Sequence, residues 1–414
     1  MALTAHLYNT SIKIYHLLMR GISLFHPKAK LWIEGRRHLI KKIKESNIGD
    51  QPSILIHCSS LGEFEQGRPL LEQIKAQYPK YKIILSFFSP SGFEIEKTNN
   101  LADLVIYLPV DTKNNVLSFV KLLNLKKAFF IKYEYWPNLF SALQKIDCPI
   151  YMVSAIFRED QFFFKPNAKW YRKNTLAIVN HFFIQNEASA SILKKHKFKN
   201  FSITGDTRFD RVIELSESNF SDQKIEDFIQ SSYHTLVAGS SWFEDEKIIS
   251  TFLQQEEGKN WKTILAPHEI HESHLVQIEK LCQGIKYVRY SKATNEELKE
   301  AQILIIDNIG KLKFLYRYAD ICYIGGGFGA GIHNTLEPAS YGKPVIFGPK
   351  YQKFDEAKQL LEINAAKTIN NQDEFKSALL SFINSRNYEM ASQKASHFVR
   401  QYKGATQKII DKTF

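Results

Sequence analysis

The stretch Tyr323–Pro349 constrains the fold of this chain more than any other. An apolar run, Ala319–Ile324, leads into five glycines between Gly325 and Gly331. His333, Asn334 and Glu337 then open a predicted helix, and Pro344–Phe347 reads as a second apolar strand. Strand, glycine turn, helix and strand in that order predict a parallel β-α-β unit, because parallel neighbours need a crossover connection. The glycines permit a sharp turn and close approach of a ligand, and a helix N-terminus offers unpaired N–H groups to an anion. Asn334 and Glu337, three apart, share one face of the first helical turn. Three readings fit: half of a nucleotide-sugar site, a purely structural glycine turn, or a dinucleotide site. The last rests on Gly325, Gly327 and Ala330, which match G-x-G-x-x-A. A dinucleotide fold wants an acidic residue ending the next strand, whereas here that strand runs into Gly348-Pro349-Lys350. The sugar-nucleotide reading is therefore preferred.

The rest of the chain repeats this alternation. Strands are predicted at Ile54–His57, Ile83–Phe87, Leu104–Tyr107, Ala128–Ile131, Ile150–Val153, Phe182–Ile184 and Phe201–Thr204. A second series follows near Leu236–Ala238, Thr263–Ala266, Lys286–Val288, Ile303–Ile306, Ile321–Ile324, Val345–Phe347 and Ala365–Thr368. The polar stretch 216–232 between them suits a linker. The pattern predicts an α/β protein of two doubly wound, Rossmann-like domains facing a cleft. The boundaries expected are 1–45 for a basic lead-in helix, 46–215 for an N-terminal α/β domain, 233–385 for a C-terminal α/β domain and 386–414 for a closing helix.

Charge is unevenly placed. Residues 1–44 carry nine Lys or Arg against Glu34 alone, so eight of the net +12 lie in the first tenth of the chain. Within them Leu7, Ile14, Leu18, Ile22 and Phe25 recur at helical spacing, with Tyr8, Tyr15 and Met19 widening the stripe. Lys13 and Arg20 interrupt any run long enough to span a bilayer. A basic arm suits nucleic acid or an anionic membrane. The interleaved apolar residues favour a helix lying in the membrane interface, with no nucleic-acid partner, over one packed only on its own domain. The four cysteines, Cys58, Cys148, Cys282 and Cys322, are widely spaced and form no C-x-x-C pair, which argues for a reducing compartment.

Chemistry gathers where strands end. Glu63, in Ser59-Ser60-Leu61-Gly62-Glu63, falls between a strand and a helix N-terminus, where the macrodipole favours its ionised form. A carboxylate there can take a proton from a substrate hydroxyl, or simply cap the helix. Glu134, in Lys132-Tyr133-Glu134-Tyr135-Trp136-Pro137, points at the same sheet edge, and Arg208 is placed to reach a phosphate or carboxylate. Phe162–Arg172, aromatic and basic, suits a lipid or anionic acceptor, or a partly buried loop. Gly239-Ser240-Ser241 reads as a phosphate-cradling turn or an N-cap. Pro267-His268-Glu269 and Asp307-Asn308-Ile309-Gly310-Lys311 end two further strands. No cluster of Asp or His with metal-ligand spacing stands out, so neither a metal nor a cofactor is expected.

Ser59–Glu63, Tyr133–Asn138, Gly205–Asp210, Asp307–Lys311 and His333–Pro338 fall in an order that resembles the 3-deoxy-D-manno-octulosonic acid (Kdo) transferases of lipopolysaccharide synthesis. The resemblance implies a GT-B fold, a CMP-Kdo donor, a lipid A precursor as acceptor, and attachment to the cytoplasmic face of the inner membrane. By it Glu63 corresponds to the proton acceptor, and Glu134 and Arg208 to positions that stabilise the transition state. Pro267 and His268, Ile309, Gly310 and Lys311, and Asn334, Thr335, Leu336 and Glu337 correspond to segments that hold CMP. The chain departs from the family pattern at Lys132 (for Glu), Asp206 (for Asn), Arg208 (for Lys) and His268 (for Arg). The competing readings are a GT-B transferase using a UDP-sugar and a non-catalytic basic membrane-binding module.

Overall fold

The computed structural model describes residues 2–98, 100–230 and 234–414. Met1, Ser231, Ser232 and Tyr233, at the edges of the expected segments, lie outside them. The chain divides into two compact units, Met1–Arg211 with Gly404–Phe414, and Val212–Lys403.

The first unit is built on β1 (Pro52–Cys58), β2 (Lys82–Phe87), β3 (Leu104–Tyr107), β4 (Asn124–Ile131), β5 (Ile150–Ala155), β6 (His181–Ile184) and β7 (Phe201–Ile203). They form one parallel sheet in the order β3-β2-β1-β4-β5-β6-β7, with Leu55 opposite Ile84 on one side and Ala128 on the other. Continuous apolar strands suit a parallel sheet, because helices cover both faces. One face buries Leu55, Phe130, Leu139 and Phe140, and the other Ile54, Ile56, Phe64, Phe129 and Ile409.

Ile409 comes from the last helix, Ala405–Thr413, so the stretch 386–414 is not the single closing helix expected. Ser385–Arg400 belongs to the second unit. The chain turns at Gly404, φ +100°, and Asp210 accepts from the backbone of Gly404 and Thr406 to hold the final helix on the first unit. No hydrophobic pattern announces such a return; it depends on one glycine in the left-handed region.

The second unit contains β8 (His234–Ser241), β9 (Trp261–Pro267), β10 (Tyr287–Arg289), β11 (Ile303–Ile305), β12 (Ile321–Ile324), β13 (Val345–Phe347) and β14 (Ala366–Thr368), in the parallel order β10-β11-β9-β8-β12-β13-β14. The expected linker is partly folded within it. Helix Gln223–Ile229 is capped by Asp222 and buries Ile225 and Phe228. In each sheet the winding reverses beside the first strand, between β1 and β4 and between β8 and β12. Such switch points leave a crevice at the carboxyl ends of the strands, where ligands bind in this class of fold.

Helix Ala2–Ile22 rests on the first unit through Tyr8, whose hydroxyl donates to Asp111 at 2.7 Å, and through Tyr15, edge-on to Trp32 at 5.8 Å. Its other face is uncovered: Leu7 is 59% exposed, Leu18 59% and, just beyond the helix, Phe25 88%. Among the described residues no helix is long and apolar enough to cross a membrane.

Candidate active site

At the first switch point, β1 leads into helix Leu61–Gln77 and places Glu63 in its first turn. Glu63 Oε2 accepts from the backbone N–H of Ser59 and of Ser60 (3.1 Å), while Oε1 has no partner among the described residues. Burial, then the charge of Glu134, pushes the Glu63 carboxyl up to about 7; the two N–H groups and Lys132 act in the opposite direction. The expectation of full ionisation is thus corrected. The helix terminus stabilises the carboxylate less than burial and a like charge destabilise it. Lys132, where the resembled family carries glutamate, limits the rise.

Glu134 follows β4 through a turn in which Lys132 has φ +66°. Its Oε2 accepts from Trp136 Nε1 at 2.9 Å and lies 3.3 Å from His57 Nε2. His57 is fully buried in β1, with Ser86 Oγ 2.9 Å from its Nδ1. Nδ1 also lies 3.1 Å from the Ser86 carbonyl oxygen, which can only accept; with the Ser86 hydroxyl donating to Nδ1 instead, Nε2–H would donate to Glu134 and hold that carboxylate in place. The sequence reading passed over His57 because a histidine inside an apolar strand looks like core; its position two residues before Ser59-Ser60 was the available signal.

Arg208 opens helix Thr207–Glu217, and its Nε donates to Asp206 Oδ2 at 2.8 Å. Asp206 also accepts from Gln66 Nε2, one turn along the helix from Glu63. Burial pushes Asp206 up, but Arg208 and these hydrogen bonds outweigh it and hold the carboxyl below its ordinary range. Glu63 and Glu134 therefore stand at the ends of the neighbouring strands β1 and β4, while Arg208 follows β7 at the edge of the same sheet and is tied to the Glu63 helix through Asp206 and Gln66. The Phe162–Arg172 stretch is mainly buttress. Phe163 and Phe164 are buried, and Tyr171 donates to the carbonyl of Tyr135 at 2.9 Å.

The second switch point is built differently. A Cβ on Gly325 would lie 2.3 Å from the carbonyl oxygen of Ser240, and one on Gly327 would lie 2.6 Å from Gly348 Cα. The glycine run thus threads between two strand ends, a structural need beside any ligand. Asp245 organises the loop, accepting from Gly326 N and Trp242 N at 2.9 Å each and from the Tyr323 hydroxyl at 2.6 Å. Glu246 accepts from the Ser241 hydroxyl and pairs with His274, both at 2.9 Å. The Ser240–Ser241 turn is accordingly a helix start secured by its own acids.

The helix after the loop is only Leu336–Ser340, later and shorter than predicted. Asn334 Oδ1 accepts from Leu336 N, and Asn334 Nδ2 donates to Glu337 Oε1 at 3.1 Å, so this expected pair does share a face. Thr335 and Leu336 are fully buried and present no side chain to a ligand. Pro267 is likewise buried at the end of β9, and His268 beyond it is exposed. Ile309 is 81% exposed beside Gly310, φ +93°, while Lys311 Nζ is held by Asp222 and the Tyr290 hydroxyl.

Glu269, His271 and His274 bring ligand-type atoms within 4.8 Å of one another, a cluster not foreseen from sequence. Helix start and loop, rather than a regular repeat, assemble it, and hydrogen bonds to Glu269 and Glu246 already engage both histidines.

Residues 33–211 match the family model of the 3-deoxy-D-manno-octulosonic-acid transferases. A bifunctional glycosyltransferase/methyltransferase from Fusobacterium nucleatum is 28% identical over 90% of this chain, which spans 59% of that relative's length. 3-Deoxy-D-manno-octulosonic acid transferases from Aquifex aeolicus and Haemophilus influenzae are 29% and 26% identical, over 78% and 86% of this chain and 83% and 86% of theirs. Among solved structures, UDP-GlcNAc 2-epimerase from Neisseria meningitidis shares the fold with a TM-score of 0.59 at 14% identity, over 85% of this chain and 99% of that one. MurG from Acinetobacter baumannii does so with a TM-score of 0.52 at 14% identity, over 87% and 98%. The two Rossmann-like units are those of the GT-B fold. Residues 33–211 thus match the Kdo transferase family model, and these relatives align along most of the chain, which together indicate a glycosyltransferase.

Proposed function

We propose that this chain transfers Kdo from CMP-Kdo to a lipid A precursor in lipopolysaccharide biosynthesis, without a metal and with Glu63 as general base. One observation carries the reading: a half-buried carboxyl with one unengaged oxygen, pushed up to about 7, stands beside a second carboxylate within the segment that matches the family. A general base works best when its pKa lies near the operating pH. The acceptor hydroxyl attacks the anomeric carbon of Kdo, its proton passes to Glu63 Oε1, and CMP departs with the electrons of the broken bond. Positive charge building on the sugar favours a nearby fixed carboxylate, the part given to Glu134. Arg208, fixed by Asp206, supplies the opposite charge. On the second unit, His268, Ile309–Lys311 and the Asn334–Glu337 segment hold CMP.

The uncovered apolar stripe of helix Ala2–Ile22, beside the basic residues of the same segment, supports peripheral attachment to an anionic membrane on its cytoplasmic face. The test is incubation with CMP-Kdo and a lipid A precursor, followed by mass analysis of the lipid. The expected product is heavier by whole Kdo units, and Glu63→Gln slows its formation by roughly two to four orders of magnitude. Protection of the chain by UDP but not by CMP would replace this donor with a UDP-sugar.

A further inference from the structure

Trp242, which no expected site contains, lies against the loop that leads to Asn334. Its indole nitrogen is 3.3 Å from His333 Nε2, and the ring of His268 stacks on both partners, 4.7 Å from Trp242 and 4.5 Å from His333. We propose that Trp242 is a positioning residue that fixes the tautomer of His333, so that His333 offers a neutral Nδ1–H as hydrogen-bond donor to the anionic part of the bound nucleotide-sugar. The assignment rests on the donor reading above.

An indole N–H can only donate. The nitrogen of His333 that faces it must therefore present a lone pair, and the ring's proton sits on Nδ1. Burial, then the neighbouring His268, lowers His333 to about 4, so the ring stays neutral at physiological pH. The arrangement is held from behind. Asp245 accepts from the backbone of Trp242 and of Gly326, and His333 N donates to the carbonyl of Gly325 at 3.2 Å. One buried carboxylate thus fixes both the indole and the loop on which the imidazole rests. Nδ1 has no protein partner among the described residues. Trp242 is 39% exposed and His268 is exposed, so the cluster lies at the surface rather than filling a core. Donors that are fixed before the ligand arrives cost no reorganisation when it binds.

The test uses the full-length chain with ¹⁵N-labelled histidine, and His333→Gln to assign the resonance. In wild type, long-range ¹H–¹⁵N spectra should show His333 protonated at Nδ1, and CMP should move the Nδ1 signal much more than that of Nε2. Trp242→Phe keeps the aromatic stack but removes the indole N–H. It should give a mixture of tautomers and weaken CMP binding roughly three- to tenfold, the range of one hydrogen bond. Adding Trp242→Phe to His333→Gln should weaken binding little further, because the two residues act as one unit. A wild-type Nε2–H tautomer, or an Nδ1 signal unmoved by saturating CMP, overturns the proposal; both are read on wild type, with His333→Gln serving only to assign the signal. Unchanged tautomer and affinity in a folded Trp242→Phe overturn the role of Trp242. If wild type does not bind CMP at all, the donor reading falls and takes the His333 assignment with it, whatever the tautomer.

Discussion

The two units share a winding pattern, yet their switch points hold carboxylates in opposite conditions. In the first, Glu63 takes two backbone N–H groups on one oxygen and leaves the other without a partner among the described residues, while Glu134 stands near enough to raise its pKa. In the second, Asp245 is saturated by three donors and Glu246 by two. A buried carboxylate with a spare oxygen can accept a proton, whereas a saturated one is scaffolding that aims its neighbours. Under the proposed function, the chemistry falls to the first unit and nucleotide binding to the second.

The largest expected effect tests the first half of that contrast. Glu63→Gln keeps size and most hydrogen bonding, so CMP affinity should hold while turnover falls by roughly two to four orders of magnitude. Glu134→Gln sharpens the point. Its charge raises the Glu63 pKa, so its loss should move the acid limb of the residual pH–rate profile to lower pH. If Glu63→Gln transfers Kdo almost normally and Glu134→Gln does not, the base is Glu134.

The next largest effect tests the proposed membrane attachment, whose helix also belongs to the first unit. Deleting the N-terminal helix outright is a poor test, because it also breaks the Tyr8–Asp111 bond and uncovers Trp32. Leu7→Ser, Leu18→Ser and Phe25→Ser together alter only exposed positions. Each side chain gives ~1.5–3 kcal/mol when fully buried, so partition into anionic vesicles should drop about a hundredfold or more. Sedimentation at the wild-type level would move the attachment to another surface.

Stability against pH comes third. The folded-state pKa of Glu63, about 7, lies above the ordinary glutamate value near 4.5. Below about 4.5 the carboxyl is neutral in folded and unfolded chains alike. Between there and about 7 the folded chain holds the extra proton, so this group makes the fold less stable as pH rises. The accumulated cost above pH 7 is on the order of 3 kcal/mol. Glu63→Gln should therefore melt higher than wild type at pH 8, with the difference closing as pH falls toward 4.5. A pH-independent difference would mean that Glu63 is not buried against a like charge.

Much of this frame was legible in the chain. The fourteen strands among the described residues fall where short apolar runs predict them, because parallel strands covered on both faces need nothing subtler than continuous burial. The placement of Glu63, Glu134 and Arg208 just after strands was readable from the apolar runs that precede them. What escaped depends on distant pieces meeting. His57 and Glu134 lie 77 positions apart, Asp245 and Gly326 lie 81 apart, and the Glu63 pKa results from burial that no local pattern encodes. The return of Ala405–Thr413 to the first unit is of the same kind, fixed by Asp210 nearly two hundred positions away.

The smallest expected effect tests the second half of the contrast. Glu337 accepts from the Asn334 amide, and the two together present an amide and a carboxylate suited to ribose hydroxyls. Glu337→Gln retains an oxygen that can accept from Asn334 but turns charge-assisted hydrogen bonds to the ligand into neutral ones. A difference on the order of 1 kcal/mol corresponds to roughly five- to tenfold weaker CMP binding. Since the same contact is made in the ground state and the transition state, KM should rise while kcat at saturating donor stays near wild type. Glu63→Gln should show the reverse split, with kcat lost and CMP affinity kept. Calorimetry with CMP and transfer assays at saturating CMP-Kdo on both variants measure all four quantities. Should Glu337→Gln lower kcat and leave CMP affinity untouched, the second switch point takes part in the chemistry, and the division between the two units fails.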